Sequence, residues 1–162
     1  MYQIRRAKPE DALGIHEAHM RSIQEVCSKD HTSEEVSAWG HRPFREDQRI
    51  NAIKNQFVWV VESFAKIEGF GHMALSEKDG SIKAHVLGLY LVKEANGFGL
   101  GYKIVSAMIA EAKSRGAEEV TLESTLTAHK FYQKQGFEDS GPQGTINIGG
   151  VGIRYIPMRL IL

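Results

Sequence analysis

The order of the predicted elements indicates a mixed α/β domain, with a mostly antiparallel central sheet flanked by about four helices. Three apolar strands follow one another between residues 57 and 92, which excludes a simple alternating βα repeat. A strand, an amphipathic helix and another strand then occupy residues 84–122, and this order implies at least one parallel pair. The chain has 162 residues, and we expect one domain over residues 1–162.

The first third of the chain predicts a strand followed by helices. Residues 2–7 alternate in character and form the strand, and Pro9 with two following carboxylates is typical of a helix start. Apolar residues at near-helical spacing extend this first helix to about Cys27. Thr32 begins a short second helix that stops around residue 40, and the polar stretch from His41 to Asn55 is assigned as a loop and a helix.

The centre of the chain predicts three strands. Phe57–Val61 is rich in β-branched and aromatic residues, and Gly69–Leu75 pairs with it. Asp79–Gly80 is typical of a hairpin turn. Ala84–Val92 is a nearly continuous apolar run, which predicts a strand buried on both faces.

The rest of the chain alternates helix and strand before a final pair of strands. Apolar residues between 104 and 112 form one face of a helix. Residues 120–122 predict a strand and residues 127–135 another helix. The segment from Thr145 to Leu162 predicts two strands around Gly149–Gly150.

The glycine-rich segment Asn96–Gly101 lies between the third central strand and the following helix. Glycine allows a sharp turn and a close approach of the backbone to a ligand, and a helix start offers free N–H groups to an anion. A tight turn without a ligand is the alternative for any single glycine cluster. A dinucleotide-binding motif would need a third glycine where the chain has Tyr102 or Ile104, and a P-loop would need Gly-Lys-Ser/Thr where it has Gly101-Tyr102-Lys103.

A second segment favours a ligand-binding role for the glycine-rich loop over a plain turn. Its motif residues are Ala128, Phe131, Tyr132, Gly136 and Phe137. Together the two segments resemble the GNAT superfamily of N-acetyltransferases, whose hallmark is Arg/Gln-x-x-Gly-x-Gly/Ala at a helix start, then Ala-x-x-Phe-Tyr-x-x-x-Gly-Phe on the next helix. The specific motifs lie between about residues 84 and 137. Two positions depart from the pattern: Asn96 replaces the usual Arg or Gln, and Lys93 replaces a common proline.

The resemblance implies a GNAT-like fold with a splayed parallel pair, acetyl-CoA as acetyl donor, and Tyr132 as the general acid. The end of the third central strand would pair with the pantetheine arm, and the glycine-loop amides would hold the pyrophosphate. The cofactor-binding residues implied in this way are Leu89, Tyr90, Leu91, Asn96, Gly97, Phe98, Gly99, Leu100, Gly101 and Thr125.

Acetyl transfer to an amine requires a neutral amine, a polarised carbonyl and a protonated leaving thiolate. His85 is the candidate base, since an imidazole with an ordinary pKa of ~6.5 suits neutral pH, although a structural strand histidine is the alternative. Glu123 is the second candidate. The resemblance also makes His19, Ser22 and Trp39 candidate acceptor contacts. No histidine has the spacing of a metal site, so we expect no metal.

Composition restricts the remaining function classes. Twenty basic residues balance twenty acidic ones with no basic stripe, and no apolar run reaches the ~20 residues of a membrane span, so neither nucleic acid nor membrane is an expected partner. The single cysteine, Cys27, excludes an internal disulfide and fits a cytoplasmic location. Since Cys27 lies far from the motifs, we expect direct transfer in a ternary complex.

The expected acceptor is a small-molecule or peptide amine. The sequence leaves open which amine this is and whether the protein forms a homodimer. A non-catalytic acyl-CoA sensor and a transferase for another acyl group are the alternative functions.

Overall fold

An eight-stranded mixed sheet organises the computed structural model, which describes all residues from Met1 to Leu162. The strands are β1 (Gln3–Arg6), β2 (Phe57–Ser63), β3 (Lys66–Lys78), β4 (Ser81–Leu91), β5 (Ala117–Ser124), β6 (Glu138–Asp139), β7 (Gly144–Ile148) and β8 (Val151–Ile161). Their order is β1-β2-β3-β4-β5-β8-β6, with β7 paired to the first half of β8. Only β4 and β5 are parallel, as the sequence predicts.

Five helices cover the sheet. They are α1 (Ala12–Glu25), α2 (Ser33–Trp39), α3 (Glu46–Asn55), α4 (Leu100–Ser114) and α5 (His129–Lys134). The predicted helices and strands are confirmed, including the helix inside the polar stretch before Asn55. The sequence missed β6, because two residues are too few to show a period. None of the helices combines the length and the apolar character that crossing a membrane requires.

The two faces of the sheet are packed by different helices. On β3, a Cβ at Gly71 would lie 2.5 Å from side-chain atoms of Ile104 and Met108, so α4 lies on that face. The neighbouring Phe70 faces the other way, and its ring centroid lies 5.2 Å from that of His19 on α1. Because successive side chains of a strand alternate, α1 and α4 enclose the sheet between them.

The parallel pair β4–β5 separates part of the way along its length. Pairing runs from Ile82 beside Ala117 to Val86 beside Leu122 and then stops, although both strands continue. At the same point Leu87 has no partner on β3, so the strand bulges. The prediction that Ala84–Val92 is buried on both faces is therefore wrong: Leu87 is 51% exposed, because β5 no longer covers this side.

A buried ionic network attaches α2 to β8. The carboxylate of Glu35 accepts hydrogen bonds from Arg154 Nη2 at 2.7 Å and from the Thr32 N–H at 2.9 Å, the latter as part of a capping box. His31 Nδ1 lies 3.1 Å from this carboxylate. Since His31 Nε2 accepts the Leu126 N–H at 3.2 Å, the ring proton is on Nδ1, and His31 donates to Glu35.

This network controls the ionisation of Glu35. Burial alone would raise the pKa of the Glu35 carboxyl, but hydrogen bonds from Arg154, Thr32 and His31 outweigh burial and hold the pKa well below its ordinary value of 4.5. A carboxylate with a depressed pKa stabilises the fold at higher pH, and this contribution disappears as the pH falls below its unfolded-state value.

Replacing Glu35 by Gln is expected to lower the free energy of unfolding by about 3 kcal/mol at pH 7, because Arg154 loses its buried ionic partner. Urea unfolding at pH 7 and pH 4 measures the effect, which should shrink at the lower pH. Glu34→Gln is the matched control, since Glu34 is exposed on the same helix. Equal stability of the two variants at pH 7 would contradict this account.

Candidate active site

The glycine loop presents a row of free main-chain donors at the start of α4. Gly97 and Gly99 have φ angles of 89° and 72°, which side chains rarely adopt. The first hydrogen bond of the helix runs from Lys103 N–H to Gly99 O at 3.1 Å, so the six N–H groups from Gly97 to Tyr102 have no partner within the chain. Together with the helix dipole, they form a cradle for an anion.

Side chains around the loop fix its shape. The Asn96 amide donates to Val92 O at 3.0 Å, so this departure from the family pattern stabilises the turn itself. Phe98 lies exposed beside Tyr2, whereas Leu100 is buried in the core. A Cβ at Gly101 would lie 3.2 Å from Phe131, so glycine at this position permits α4 and α5 to approach closely.

A cavity of about 170 Å³ lies between this loop, the end of β4 and α5. It brings together most of the predicted cofactor residues, namely Leu89, Tyr90, Leu91, Asn96, Gly101 and Thr125, and it also contains Tyr132, Cys27 and Ser22. The Thr125 hydroxyl accepts the Ala128 N–H at 3.1 Å and keeps its own proton free to donate.

The end of β4 offers main-chain groups to the same space. Val92 N–H donates to Glu68 O on β3. Because main-chain groups alternate in direction along a strand, those of Leu89 and Leu91 point away from β3, toward the side from which β5 has diverged. They are available to a ligand that lies in the opening.

Tyr132 lies at the centre of the site. Its side chain is held between Phe131 and Phe137, at ring-centroid distances of 5.2 and 5.5 Å, and is only 5% exposed. Its hydroxyl makes no hydrogen bond within the chain, and burial raises its pKa above the ordinary value of 10. The group therefore stays protonated at neutral pH, as a donor must.

A small cavity of about 30 Å³ marks the opening between β4 and β5. Tyr132 lines it together with Leu87 and Glu123. His85, the first candidate base, lines neither this cavity nor the 170 Å³ one, and its Nδ1 lies 2.7 Å from the Thr121 hydroxyl. The structure thus brings Glu123 to the opening but not His85.

A third cavity, of about 380 Å³, lies between α1, α3 and the sheet, and shares Leu87 with the small one. His19, a predicted acceptor contact, lines it. Ser22 faces the 170 Å³ cavity instead, and Trp39 packs in the core with Ile23, so neither of these two predicted acceptor contacts lines the 380 Å³ cavity. Helix periodicity does not show which face of α1 meets the sheet opening.

The basic side chains of this third cavity were missed at the sequence level. Arg42, Arg45 and Arg49 line it, together with His16 and His72. Three arginines within the eight residues from 42 to 49 of a polar stretch are the signal that would have indicated them, although only Arg49 lies in a helix, α3.

Burial and positive charge act together on this cavity. Burial, followed by the nearby Arg49 and Arg42, lowers the pKa of His19 well below 6.5, and burial and Arg49 lower the pKa of His72 to about 4. Burial also lowers the pKa of Arg49 to about 10. The histidines are therefore neutral at pH 7, and the arginines carry the charge.

Sequence comparisons match this chain to a known family. The family model described as "Acetyltransferase (GNAT) domain" matches residues 27–162. An uncharacterized ycf52-like N-acetyltransferase from Prochlorococcus marinus is 29% identical over 102 residues, 61% of this chain and 55% of the relative. The match therefore spans about half the length of that relative.

Solved structures share the fold. A GCN5-related N-acetyltransferase from Rhodopseudomonas palustris superposes with a TM-score of 0.84 at 22% identity, over 99% of this chain and 95% of the other. The PaiA N-acetyltransferase from Thermoplasma acidophilum, solved with coenzyme A, gives 0.79 at 18% identity, over 100% and 99%. YncA from Salmonella typhimurium, a putative acetyltransferase solved with acetyl-CoA, gives 0.71 at 20% identity, over 100% and 94%.

Acidification is expected to destabilise the protein between about pH 6.5 and pH 4 in part through His72. Its pKa falls from 6.5 to about 4 on folding, so in this window the unfolded state binds more protons and stability rises with pH. Chemical unfolding at pH 7 and pH 5 should show a smaller loss of stability for His72→Gln than for the wild type. His41→Gln, a change at an exposed histidine, should keep the wild-type loss; an unchanged loss in His72→Gln would refute the assignment.

Proposed function

Since this chain belongs to the GNAT acetyltransferase family, we propose that it transfers an acetyl group from acetyl-CoA to a primary amine by direct attack. The observation that carries the proposal is the run of six unpaired main-chain N–H groups, Gly97 to Tyr102, next to the opening between β4 and β5. Four of these groups, Gly99 to Tyr102, are the free donors that begin any helix, and the loop adds those of Gly97 and Phe98 directly before them.

The residues around the opening fit the parts of acetyl-CoA. The six amides suit the pyrophosphate, since they combine free donors with the positive end of a helix dipole. The main-chain groups of Leu89 and Leu91, together with the Thr125 hydroxyl, suit the amide groups of the pantetheine arm. Bound in this way, acetyl-CoA supplies the activated acetyl group as a thioester.

The chain's own groups can manage the proton and charge changes of transfer. As the amine nitrogen bonds to the acetyl carbon and the carbon–sulfur bond breaks, the Tyr132 hydroxyl gives its proton to the sulfur. The Leu91 N–H stabilises charge on the carbonyl oxygen. Glu123 accepts the proton from the amine, a role supported by its position beside Tyr132 in the small cavity.

Direct transfer is supported by the arrangement of the cavities. The 380 Å³ cavity shares Leu87 with the small one, and the small one shares Tyr90, Thr125 and Tyr132 with the 170 Å³ cavity. An amine entering on the α1 side thus meets the opening where the donor's thioester would lie. A covalent relay through Cys27 is disfavoured, since burial raises the pKa of its thiol to about 12 and removes the thiolate.

Gly99→Ala is expected to weaken acetyl-CoA and CoA binding about tenfold or more, because a residue with a Cβ is strained at the φ of 72° that positions the free N–H groups of the loop. Calorimetric titration with each ligand measures the change. Gly80→Ala is the control, since Gly80 has a similar φ of 78° with open space around it but lies in the β3–β4 hairpin. If the wild type bound neither acetyl-CoA nor CoA, the proposed function would be refuted.

Tyr132→Phe is expected to reduce kcat by about 10²- to 10⁴-fold while leaving acetyl-CoA affinity and stability nearly unchanged, because the hydroxyl has no partner within the chain. Release of CoA thiol with a panel of amines measures kcat. Glu123→Gln should likewise lower kcat, and His85→Gln should not if Glu123 is the base. Unchanged turnover in Tyr132→Phe would exclude the hydroxyl as the acid, and binding without turnover by the wild type would favour the sensor.

A further inference from the structure

The 380 Å³ cavity is lined by positively charged side chains but by no acidic side chain. Arg42, Arg45 and Arg49 line it, and no aspartate or glutamate does. The other partly buried arginines of the chain are paired: Arg5 lies 2.7 Å from Asp11, and Arg154 lies 2.7 Å from Glu35. The missing carboxylates are therefore a property of this cavity and not of the protein's arginines in general.

Neighbouring groups hold the guanidinium groups in place without neutralising them. Arg42 Nε donates to Trp39 O at 2.9 Å, which anchors it to the end of α2. Arg49 lies over the Phe70 ring, 5.4 Å from its centroid, and its Nη2 donates to His19 Nδ1 at 2.9 Å. Each guanidinium has five N–H donors and thus keeps several for a ligand.

His19 completes this donor surface. Its Nδ1 accepts from Arg49, so in the neutral ring Nε2 carries the proton and faces Arg42 as a second donor, at 3.5 Å. Burial, followed by the two arginines, keeps the pKa of His19 well below 6.5, so the ring is neutral and adds no charge to the cavity. Arg42, Arg49 and His19 Nε2 therefore offer more hydrogen-bond donors to the cavity than there are acceptors beside them.

Leaving cations partly buried and unpaired costs stability, and such an arrangement is retained where a ligand supplies the opposite charge. A carboxylate or a phosphate matches the planar fork of a guanidinium. Apolar side chains, including Ile15, Ala52 and Val58, form much of the remaining wall. The volume is within the range of small-molecule sites.

We infer that the acetyl acceptor is a small primary amine that also carries a carboxylate or phosphate group, which Arg42 and Arg49 bind. This inference rests on the proposed function and names the substrate class of the same site. The anionic group lies at the arginines, and the amine reaches toward Leu87 and the opening that Tyr132 lines.

The same positive wall assists the chemistry. A nearby positive charge disfavours a second one, so the arginines lower the pKa of the acceptor ammonium and increase the fraction of neutral, nucleophilic amine. Three arginines exceed the single charge of one carboxylate, so this effect persists when the anionic group is bound.

Matched amines test the inference. The first pair is phenylalanine and phenylalaninamide, the second is phosphoethanolamine and ethanolamine, and spermidine and an N-terminally free acidic peptide complete the panel. Turnover is measured as CoA thiol release, and binding of each amine to the CoA-loaded protein is measured by calorimetry. We expect the anionic member of at least one pair to be preferred tenfold or more in kcat/KM or in affinity, and the preferred pair identifies carboxylate or phosphate as the group bound.

Variants test whether the arginines cause the preference for an anionic amine. Arg49→Met should reduce that preference to less than about threefold, leave the affinity for acetyl-CoA unchanged, and keep or raise the thermal unfolding temperature, since it removes an unpaired cation. A purely structural arginine would lower that temperature instead, as Arg154→Met should. Arg115→Met, at the exposed end of α4, is the control and should keep the preference. Arg49→Lys, which keeps the charge but loses the fork, should be intermediate.

Other outcomes overturn the inference and are distinguishable from failure of the proposed function. Preference for ethanolamine, phenylalaninamide or spermidine would refute an anionic acceptor while leaving the acetyltransferase activity intact. Preference for the peptide over every small amine would refute the small-molecule class. Acetyl-CoA binding with no detectable binding of any anionic amine would also refute it, whereas failure to bind acetyl-CoA would refute the function itself.

Discussion

The separation of β4 from β5 beyond Val86 and Leu122 is the feature on which the site depends. A parallel pair that stayed hydrogen-bonded to its ends would satisfy the main chain of Leu89 and Leu91 and close the space beside them. The bulge at Leu87 coincides with the separation. Because α4 follows the end of β4 and α5 follows the end of β5, both helices begin at the opening, and they bring the free amides and Tyr132 to the same place.

The protein uses arginine in two opposite ways. Arg154 is paired with the buried Glu35, so that α2 and β8 are held together and α2 stays close to the sheet. Arg42 lies just after α2 and Arg49 lies on α3, and neither has such a partner. Cations that are partly buried and unpaired reduce stability, and the neighbouring ionic network helps to make this cost tolerable. Stability and binding are thus divided between adjacent segments.

Much of the fold could be predicted from local patterns, and the central part of the site from two short motifs. The spacing of apolar residues predicts α4, and the left-handed glycines of the loop are consistent with the free donors found there. Predictions that depended on which segments pack against each other were less accurate. The burial of β4 was overstated, because an apolar run does not show where a neighbouring strand diverges. Trp39 proved to be a core residue, and the arginine cavity was not foreseen, because balanced overall charge hides a local excess.

The sequence by itself determined the order of elements and the glycine-rich turn at Asn96–Gly101 that leaves main-chain donors free at the start of α4, since each depends on residues close together in the chain. Only the tertiary structure decided that Glu123 and not His85 reaches the opening, and that arginines from one short segment face a cavity without a carboxylate. The reason is physical: backbone conformation and free helix-end donors are local properties, whereas the charge of a cavity is summed over side chains that meet only when the sheet, α1 and α3 pack together.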